Sequence, residues 1–339
     1  MKLHLASAGV DLRWSAVPDF ARQLRSQRLE HSHVLVNDPG EADVVLFVEC
    51  HQLPGDWRLR AITESSVARR FPEKVAVHNE RDDPWCRYPG IYASMPARSF
   101  RRAWQVAGSY RRFNDPAHLV EPSRVRSDPD LLYSFVGSPT HACRKALLDL
   151  TGARSHVEVV EGFLFWDPSS RDFELRRRRF AEILLRSTFV LCPRGNGTAS
   201  IRLFETLAAG RVPVILADSW VPPAGPDWES FSLRWPEDDA ARLPRALEAL
   251  EAQAGEMGMR ARAAYESFFA PDVVLARQLS QLEALVVTAR PGRFPSGGYH
   301  NAQYLHLRAR ELRGAARSRG RSAGGSKDAP ATAGEPQSR

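Results

Sequence analysis

The sequence predicts an α/β protein with two domains, each built on a parallel sheet that helices cover. Short apolar segments of strand type alternate with amphipathic helical segments through most of the 339 residues. Such alternation favours parallel sheets with helices on both faces. A charged segment at residues 123–130 interrupts the alternation and is typical of a linker. A chain of this length is long enough to bury two cores.

The first domain is predicted to span residues 1–125. Its N-terminal apolar stretch is broken by His4 and ended by Asp11, so it fits a first strand better than a signal peptide. The apolar and periodic segments predict further strands at 34–37, 44–48 and 74–78, and helices at about 20–29 and 57–70.

The second domain is predicted to span residues 126–290. The pattern predicts strands at 131–136 and 157–160, and helices at 142–150, 172–186, 240–254 and 257–268. A segment rich in proline and glycine follows at 291–298, and an amphipathic segment at 304–312 is expected to return to the first domain. We therefore treat 291–312 as a returning segment. Residues 313–339 lack an apolar period and are predicted to be disordered.

The most informative part of the chain lies at residues 187–220. An apolar strand segment ends at Pro193, a polar loop with two glycines follows at 194–198, and a helical pattern runs from about 200 to Gly210. A second apolar strand segment comes next, at 212–217. Free backbone N–H groups and the helix dipole make the start of such a helix favourable for a phosphate group.

The charge distribution gives no support for nucleic-acid binding. More than half of the net charge of +7 lies in residues 313–339, and a second basic run at 176–179 falls within a helical pattern. Neither segment interleaves aromatic residues with the basic ones or matches a nucleic-acid-binding module. We expect the basic run to be a solvated helix face. The tail is either a solvated terminus or a weak contact for anionic lipid.

The composition favours a cytoplasmic protein, and peripheral contact with the inner face of the membrane stays open. No apolar run approaches the roughly 20 residues that span a bilayer. The four cysteines are widely spaced and form no CxxC pair, which indicates neither a zinc site nor a disulfide framework. Free cysteines in apolar segments fit a reducing compartment.

The segment CPRGNGTASIRLFETLAAGRVPVI, residues 192–215, resembles the nucleotide-sugar-binding half of exostosin-family glycosyltransferases. The resemblance extends to FVGS at 135–138 and DSWVPP at 218–223, is dense over 132–235, is weaker at 79–96, and is absent after about 270. It implies a GT-B architecture, in which two Rossmann-like α/β domains face a cleft.

The resemblance also implies an activity: inverting transfer of a sugar from a nucleotide sugar to a glycan or glycolipid acceptor. We expect this transfer to serve the synthesis of a cell-surface polysaccharide or glycoconjugate, without a metal and without a cofactor.

Candidate donor-binding residues follow from the rule that ligands lie beyond the carboxyl ends of parallel strands, and from the resemblance. They are Gly137, Ser138, Arg144, Arg194, Gly195, Asn196, Gly197, Thr198, Ser200, Arg202, Glu205 and Asp218. Arg194 is the first candidate for a catalytic role, because a cationic fork can stabilise a departing diphosphate.

Several of these residues have a second interpretation. Arg202 either binds phosphate or braces the loop, and it stands at the i, i+3 spacing of an ion pair with Glu205. By the resemblance, Glu205 binds the ribose hydroxyls of the donor. Arg144 could be a surface helix arginine, and Asp218 could cap the next turn.

The catalytic base is expected in the loop after the strand at 74–78. Asp83, Asp82 and Glu80 share this loop, and inverting sugar transfer needs a group that takes the proton from the acceptor hydroxyl. The same residues could form an ordinary turn before Pro84.

Three other functions stay open at this point. Gly195, Gly197 and Ser200 nearly match a dinucleotide-binding fingerprint, which would favour an NAD(P)-dependent oxidoreductase. Asp128 and Asp130 have the spacing of a metal-binding DxD pair, but they precede a predicted strand rather than follow one. The chain could also be a non-catalytic homologue that binds a nucleotide or a sugar.

Overall fold

The computed structural model describes residues 1–7, 16–27, 29, 32–48, 60–82, 84–111, 129–160, 172–288, 305, 307–309 and 312–313. The chain divides into a large compact unit, Met1–Arg293, and a second unit, Phe294–Arg339. In the second unit the described residues are helical. The predicted return of segment 291–312 to the first domain, and the predicted disorder of the tail, stay predictions.

The first half of the large unit is a six-stranded parallel sheet. Its strands, in chain order, are β1 (Lys2–Ser7), β2 (Val34–Leu35), β3 (Val44–Val48), β4 (Val75–Asn79), β5 (Gly90–Tyr92) and β6 (Gln105–Ala107). They lie in the order β2-β1-β3-β4-β5-β6, and every pair is parallel. The helices of this half are α1 (Val17–Ser26), α2 (Arg60–Thr63) and α3 (Ser66–Arg70), with 3-10 turns at Pro72–Lys74 and Ala97–Ser99.

The second half is a five-stranded parallel sheet. Its strands are β7 (Leu131–Gly137), β8 (Ser155–Val159), β9 (Ser187–Pro193), β10 (Val212–Leu216) and β11 (Leu233–Arg234). They lie in the order β11-β10-β9-β7-β8, again with all pairs parallel.

Helices accompany this second sheet and continue beyond it. They are α4 (Ala142–Leu147), α5 (Phe173–Leu185), α6 (Ile201–Ala208), α7 (Leu243–Leu250), α8 (Ala254–Phe268) and α9 (Val274–Thr288), with 3-10 turns at Trp228–Ser230, Ala240–Arg242 and Glu251–Gln253. None of the helices in the described ranges is long and apolar enough to cross a membrane.

The predicted fold class is confirmed: the protein is α/β, with the two parallel sheets that a GT-B architecture requires. The central strands β3, β4, β9 and β10 are buried at every residue. Burial on both faces explains why β3 and β10 are continuous apolar runs rather than alternating patterns. The predicted domain boundary at 125/126 falls outside the described residues.

Helix α9 packs on the first sheet although it follows the second along the chain. Leu275, Leu279 and Leu282 are fully buried, in one cluster with Leu3 and Phe20. The sequence prediction placed this segment in the second domain. The structure therefore shows a return crossing that begins before residue 291.

The edges of the two halves are joined by backbone contacts. Pro96 and Trp220 form an isolated antiparallel bridge. On either side of it, the N–H of Ala97 donates to the carbonyl of Ser219 at 2.6 Å, and the N–H of Val221 donates to the carbonyl of Met95 at 3.0 Å. These bonds fix the segment after β5 against the segment after β10.

Candidate functional site

The loops that follow β7, β9 and β10 meet at the carboxyl edge of the second sheet. The backbone N–H of Arg194, just after β9, donates to the carbonyl of Leu216 at the end of β10, at 3.0 Å. Helix α6 begins beyond this loop and ends at Ala208, and Gly210, two residues later, has a φ of 63° in the left-handed region. The strand-loop-helix-strand unit predicted from the sequence is thus present.

Arg144 braces the loops. Its Nε donates to the carbonyl of Arg194 at 2.8 Å, and its two terminal nitrogens donate to the carbonyls of Ser138 at 3.2 Å and Pro193 at 3.3 Å. Burial, and next the charge of Arg202, lowers the pKa of Arg144 to about 10. The guanidinium therefore joins the ends of β7 and β9, and this use of its donors favours bracing over phosphate binding.

Arg202 lies beneath the end of β7. Its Nη2 donates to the carbonyl of Val136, and its guanidinium stacks on the ring of Phe135 at 4.8 Å. A Cβ at Gly137 would come within 2.7 Å of that Nη2, so glycine is needed where the arginine passes. The buried Nε and Nη1 of Arg202 bond to none of the residues that the structure describes. Both predicted roles of Arg202, bracing and anion binding, are compatible with this geometry.

Arg194 is half-buried and only weakly held. Its terminal nitrogens contact Ser219 Oγ at 3.5 Å and the carbonyl of Asn196 at 3.4 Å, both at the long limit for hydrogen bonds. Its buried Nε has no acceptor within the described ranges. A cation held this loosely can turn toward an anionic ligand at little cost.

Glu205 lies on α6, half-buried. Burial raises the pKa of its carboxyl group to about 7, although the charges of Arg202 and Arg177 work in the opposite direction. A carboxylate in this setting is half-protonated near neutral pH. Its predicted role as ribose ligand stays a prediction.

The remaining donor candidates differ in their surroundings. Ser138 Oγ donates to the carbonyl of Val160 at 2.5 Å. Ser200 is the N-cap residue of α6 but makes no side-chain cap bond. The carboxylate of Asp218 accepts from the N–H of Glu237 at 3.3 Å, so it tethers β10 to the loop after β11 rather than capping the next turn.

Asp82 is the acid that the structure brings to the second sheet. It is exposed, and a Cβ at Gly197 would come within 2.8 Å of its Oδ1. The hydroxyl of Tyr110 donates to the same Oδ1 at 3.3 Å. Burial, and next the charge of Asp82, raises the pKa of Tyr110 far above its ordinary value, so the phenol stays a donor. The loop after β4 and the glycine-rich loop after β9 are therefore in contact.

Ser94 holds that contact in place and was missed in the sequence. Its Oγ accepts from the N–H groups of Thr198 at 2.8 Å and Ala199 at 3.3 Å, and donates to the carbonyl of Asp82 at 3.3 Å. Ser94 follows β5 by two residues. The strand-end rule could have found it if β5, only three residues long, had been recognised.

Of the other two candidate bases, Glu80 and Asp83, only Glu80 lies among the described residues. Glu80 is buried, and its Oε1 accepts from the N–H of Arg111 at 2.7 Å and lies 3.9 Å from His78 Nδ1. Burial, and next the charge of Arg111, lowers the pKa of His78 to about 3. These contacts favour a structural role for Glu80. Asp83 lies outside the described residues, and its proposed role as base stays a prediction.

The DxD pair precedes its strand, as the sequence indicated. Asp130 stands directly before β7, and its carboxylate binds the guanidinium of Arg186, with Oδ1 3.0 Å from Nε. Asp128 lies outside the described residues. The described member of the pair is thus engaged in an ion pair.

Comparison with known proteins gives a family match that covers the second sheet. The exostosin GT47 domain matches residues 95–250. The exostosin-1 homolog of Caenorhabditis elegans is 42% identical over 76 residues, which is 22% of this chain and 20% of that protein. The probable glucuronoxylan glucuronosyltransferase IRX7 of Arabidopsis thaliana is 43% identical over 83 residues, which is 23% of this chain and 18% of that protein.

The chain spans only a fifth of the length of these curated relatives. Among solved structures, HepE of Anabaena in complex with UDP aligns with a TM-score of 0.44 and 10% identity, covering 84% of this chain and 99% of that chain. Likeness at this level adds nothing to the fold that the two sheets display directly.

Proposed function

Residues 95–250 belong to the exostosin GT47 family, and on that premise we propose that the protein is an inverting glycosyltransferase that uses a nucleotide sugar. The acceptor in this proposal is a glycan or a glycolipid. The observation that carries it is the contact between Asp82 and Gly197, which brings a carboxylate of the first sheet to the arginine- and glycine-bearing loop of the second.

The donor binds, in this proposal, at the second sheet. The diphosphate lies against the loop at 194–198, where Arg194 supplies a cationic fork and the start of α6 supplies backbone N–H groups. Glu205 accepts hydrogen bonds from the ribose hydroxyls. The weak bonds of the Arg194 guanidinium support this assignment, because the group can turn toward phosphate without losing strong partners.

The acceptor binds on the side of the first sheet, where Asp82 acts as the base. Its carboxylate takes the proton of the acceptor hydroxyl, and the oxygen attacks the anomeric carbon from the face opposite the diphosphate. The bond between the anomeric carbon and the diphosphate oxygen breaks, and the nucleoside diphosphate leaves with the electron pair. A single displacement of this kind inverts the configuration of the anomeric carbon.

In this proposal, Arg194 and backbone N–H groups stabilise the negative charge that develops on the leaving diphosphate, and neither Mg²⁺ nor Mn²⁺ is required. Support comes from the position of the DxD pair before β7 and from the ion pair that Asp130 makes. Turnover is therefore expected to survive strong chelation. An absolute requirement for Mg²⁺ or Mn²⁺ would contradict this part of the proposal.

The name of one relative, a probable glucuronoxylan glucuronosyltransferase, supports a polysaccharide as the acceptor class. We place the reaction in the cytoplasm, in the synthesis of a cell-surface polysaccharide or glycoconjugate. The three described cysteines are free and buried, which fits a reducing compartment. In this proposal the basic residues of segment 313–339 make a weak contact with anionic lipid.

Two measurements on the full chain test the function. The first is thermal unfolding with a panel of nucleoside diphosphates and with NAD(P). We expect a nucleoside diphosphate to raise the melting temperature and NAD(P) to leave it unchanged, since a ligand stabilises the state that binds it. Stabilisation by NAD(P) alone would favour the oxidoreductase.

The second measurement is release of nucleoside diphosphate from a panel of nucleotide sugars with glycan acceptors. We expect release that depends on the acceptor, with an inverted linkage in the product. Binding of a nucleoside diphosphate without turnover on any donor and acceptor pair would favour the non-catalytic homologue.

A further inference from the structure

Three side chains with metal-binding atoms meet beside the donor loop, although the sequence indicated no zinc site. His141 is the N-cap residue of α4, Cys143 is the second residue of that helix, and Glu237 follows β11. Their ligand atoms all lie within 4.8 Å of one another. His141 Nδ1 is 3.2 Å from Cys143 Sγ and 3.8 Å from Glu237 Oε2.

These separations fit a tetrahedral zinc ion. Bonds of about 2.0 Å to nitrogen or oxygen and 2.3 Å to sulfur place neighbouring ligand atoms roughly 3.3–3.6 Å apart. The two measured separations lie on either side of that range. Each of these two separations departs from the ideal value by a few tenths of an ångström. Side-chain rotation must bring Cys143 Sγ and the Glu237 carboxylate, which lie within 4.8 Å of each other, to the same spacing.

Glu237 is already oriented for this purpose. Its Oε1 accepts from the backbone N–H of Asp218 at 2.9 Å, and its own N–H donates to the Asp218 carboxylate. The reciprocal bonds fix the side chain and leave Oε2 directed toward His141. A carboxylate held by an outer partner is the usual arrangement at metal sites.

The ligand types favour a borderline-soft cation. Imidazole and thiolate are ligands that suit zinc. Because a thiol binds a metal as the thiolate, metal binding displaces its proton to solvent. The resulting thiolate and carboxylate together balance the charge of a divalent ion.

We propose that His141, Cys143 and Glu237 bind Zn²⁺ through Nδ1, Sγ and a carboxylate oxygen, with water as the fourth ligand. A thiolate in the ligand set selects Zn²⁺ over Mg²⁺ and Mn²⁺, which prefer oxygen. Zinc replaces the long bond of 3.3 Å that Nδ1 accepts from the N–H of Cys143. The site is distinct from the reaction and does not depend on the proposed function.

The zinc site would stiffen the start of the donor loop. The proposed ligands join α4 to the loop after β11, so the metal would fix these two segments to each other. Arg144, which follows Cys143 on α4, donates to the carbonyl of Arg194 at 2.8 Å and thereby connects α4 to the loop after β9. We expect zinc to raise thermal stability without entering the transfer step.

The test is a metal titration of the full chain after treatment with a chelator, with Zn²⁺ followed by calorimetry and Co²⁺ by absorption. We expect one equivalent to bind, with release of about one proton and a thiolate-to-Co²⁺ charge-transfer band. Cys143→Ala should remove the band. Glu237→Gln, which keeps an acceptor for the Asp218 N–H, should weaken binding by more than about tenfold, because loss of a ligand should cost at least as much as the roughly 10–100-fold loss seen for outer-shell changes.

Matched controls are Cys86→Ala and His156→Gln. Cys86 is a buried free thiol outside the cluster, and His156 lies 2.9 Å from Glu158 without a thiol at that contact. Both variants should bind metal like the wild type. Absence of stoichiometric binding, or a band that persists in Cys143→Ala, would overturn the proposal. Equal loss in the controls would overturn it too, because the bound metal would then lie elsewhere.

Discussion

The carboxyl edges of the two sheets lie in contact, but the candidate residues at each edge are positioned in different ways. At the second sheet, most of the candidate residues come from one continuous segment, 192–205, which Arg144 of the short helix α4 braces. At the first sheet, Asp82 is positioned by Ser94 and Tyr110, which follow it by 12 and 28 residues. Donor binding thus depends on a local motif, whereas the position of the base depends on tertiary contacts. Changes at the two edges should therefore affect different quantities.

The largest effect is expected at the first edge. Asp82→Asn keeps the size of the side chain but removes the base, so turnover should fall by about two to four decades. The affinity for nucleoside diphosphate should stay unchanged, because the donor binds at the other sheet. Initial rates and calorimetry measure the two quantities.

Glu80→Gln is the matched control for this change. The glutamine still offers an oxygen to the N–H of Arg111, so turnover should stay close to that of the wild type. If Asp82→Asn turns over normally, the base lies elsewhere, and Asp83 is the next candidate.

The next effect concerns Arg194 at the second edge. Arg194→Ala should lower turnover by about two to three decades, because negative charge on the diphosphate grows toward the transition state. Affinity for the nucleoside alone should change little. Arg194→Lys keeps the charge but loses the bidentate guanidinium, so its turnover should lie between that of the wild type and that of Arg194→Ala. A nucleoside affinity that falls as far as turnover would show that the arginine shapes the pocket instead.

Glu205→Gln should separate binding from chemistry. Loss of a charged hydrogen bond costs roughly 1.5–3 kcal/mol, which is about one to two decades in the affinity for nucleoside diphosphate. Turnover at saturating donor should change less. Calorimetry that finds normal affinity would contradict the ribose role implied by the family resemblance.

The pH dependence gives a second readout of Glu205. Its pKa is raised from the ordinary 4.5 to about 7, so diphosphate affinity should fall as the pH drops through 7 and the carboxylate is protonated. The stability that the raised pKa contributes is present below pH 4.5 and is lost as the pH rises through 7. Glu205→Gln should lack both slopes, and a variant that keeps them would assign the titration to another group.

Ser94 connects the two edges. Its replacement is expected to have the smallest effect on catalysis and to act mainly on the stability of the fold. Ser94→Ala leaves the N–H groups of Thr198 and Ala199 without their acceptor, so the free energy of unfolding should fall by about 1–3 kcal/mol. Thr198→Val removes only a contact of 3.4 Å to the same oxygen and should cost less. Denaturant unfolding compares the variants. Equal losses would mean that the hydroxyl of Thr198 matters more than the backbone bonds.

Many strands and helices were predictable from the sequence, because an apolar run or a helical periodicity is visible within a short continuous segment. The strand predicted at 44–48 matches β3 residue for residue, and the helix predicted at 172–186 matches α5 within one residue at each end. Strands β5 and β6 have three residues each and were missed, since no periodicity can be read over so short a span. Helix α9 was missed although Leu275, Leu279 and Leu282 have helical spacing.

The candidate site was predictable to a different degree at each edge. The loop at 194–198 and the acids after β4 were found because strand ends concentrate ligand-binding residues. The contact between Asp82 and Gly197 could not be found, since the sequence does not show which loops of two sheets meet. The same holds for the cluster of His141, Cys143 and Glu237, in which one ligand comes from a distant loop. The bracing role of Arg144 likewise depends on carbonyls 49 and 50 residues away.

The most direct test of donor binding at the second edge is amide hydrogen exchange with and without a saturating nucleoside diphosphate. We predict slower exchange in residues 195–200 when the diphosphate is bound, because it contacts this loop and the start of α6. Exchange in residues 90–93 of the first sheet should stay unchanged. Protection confined to the first sheet, with none in 195–200, would contradict the account.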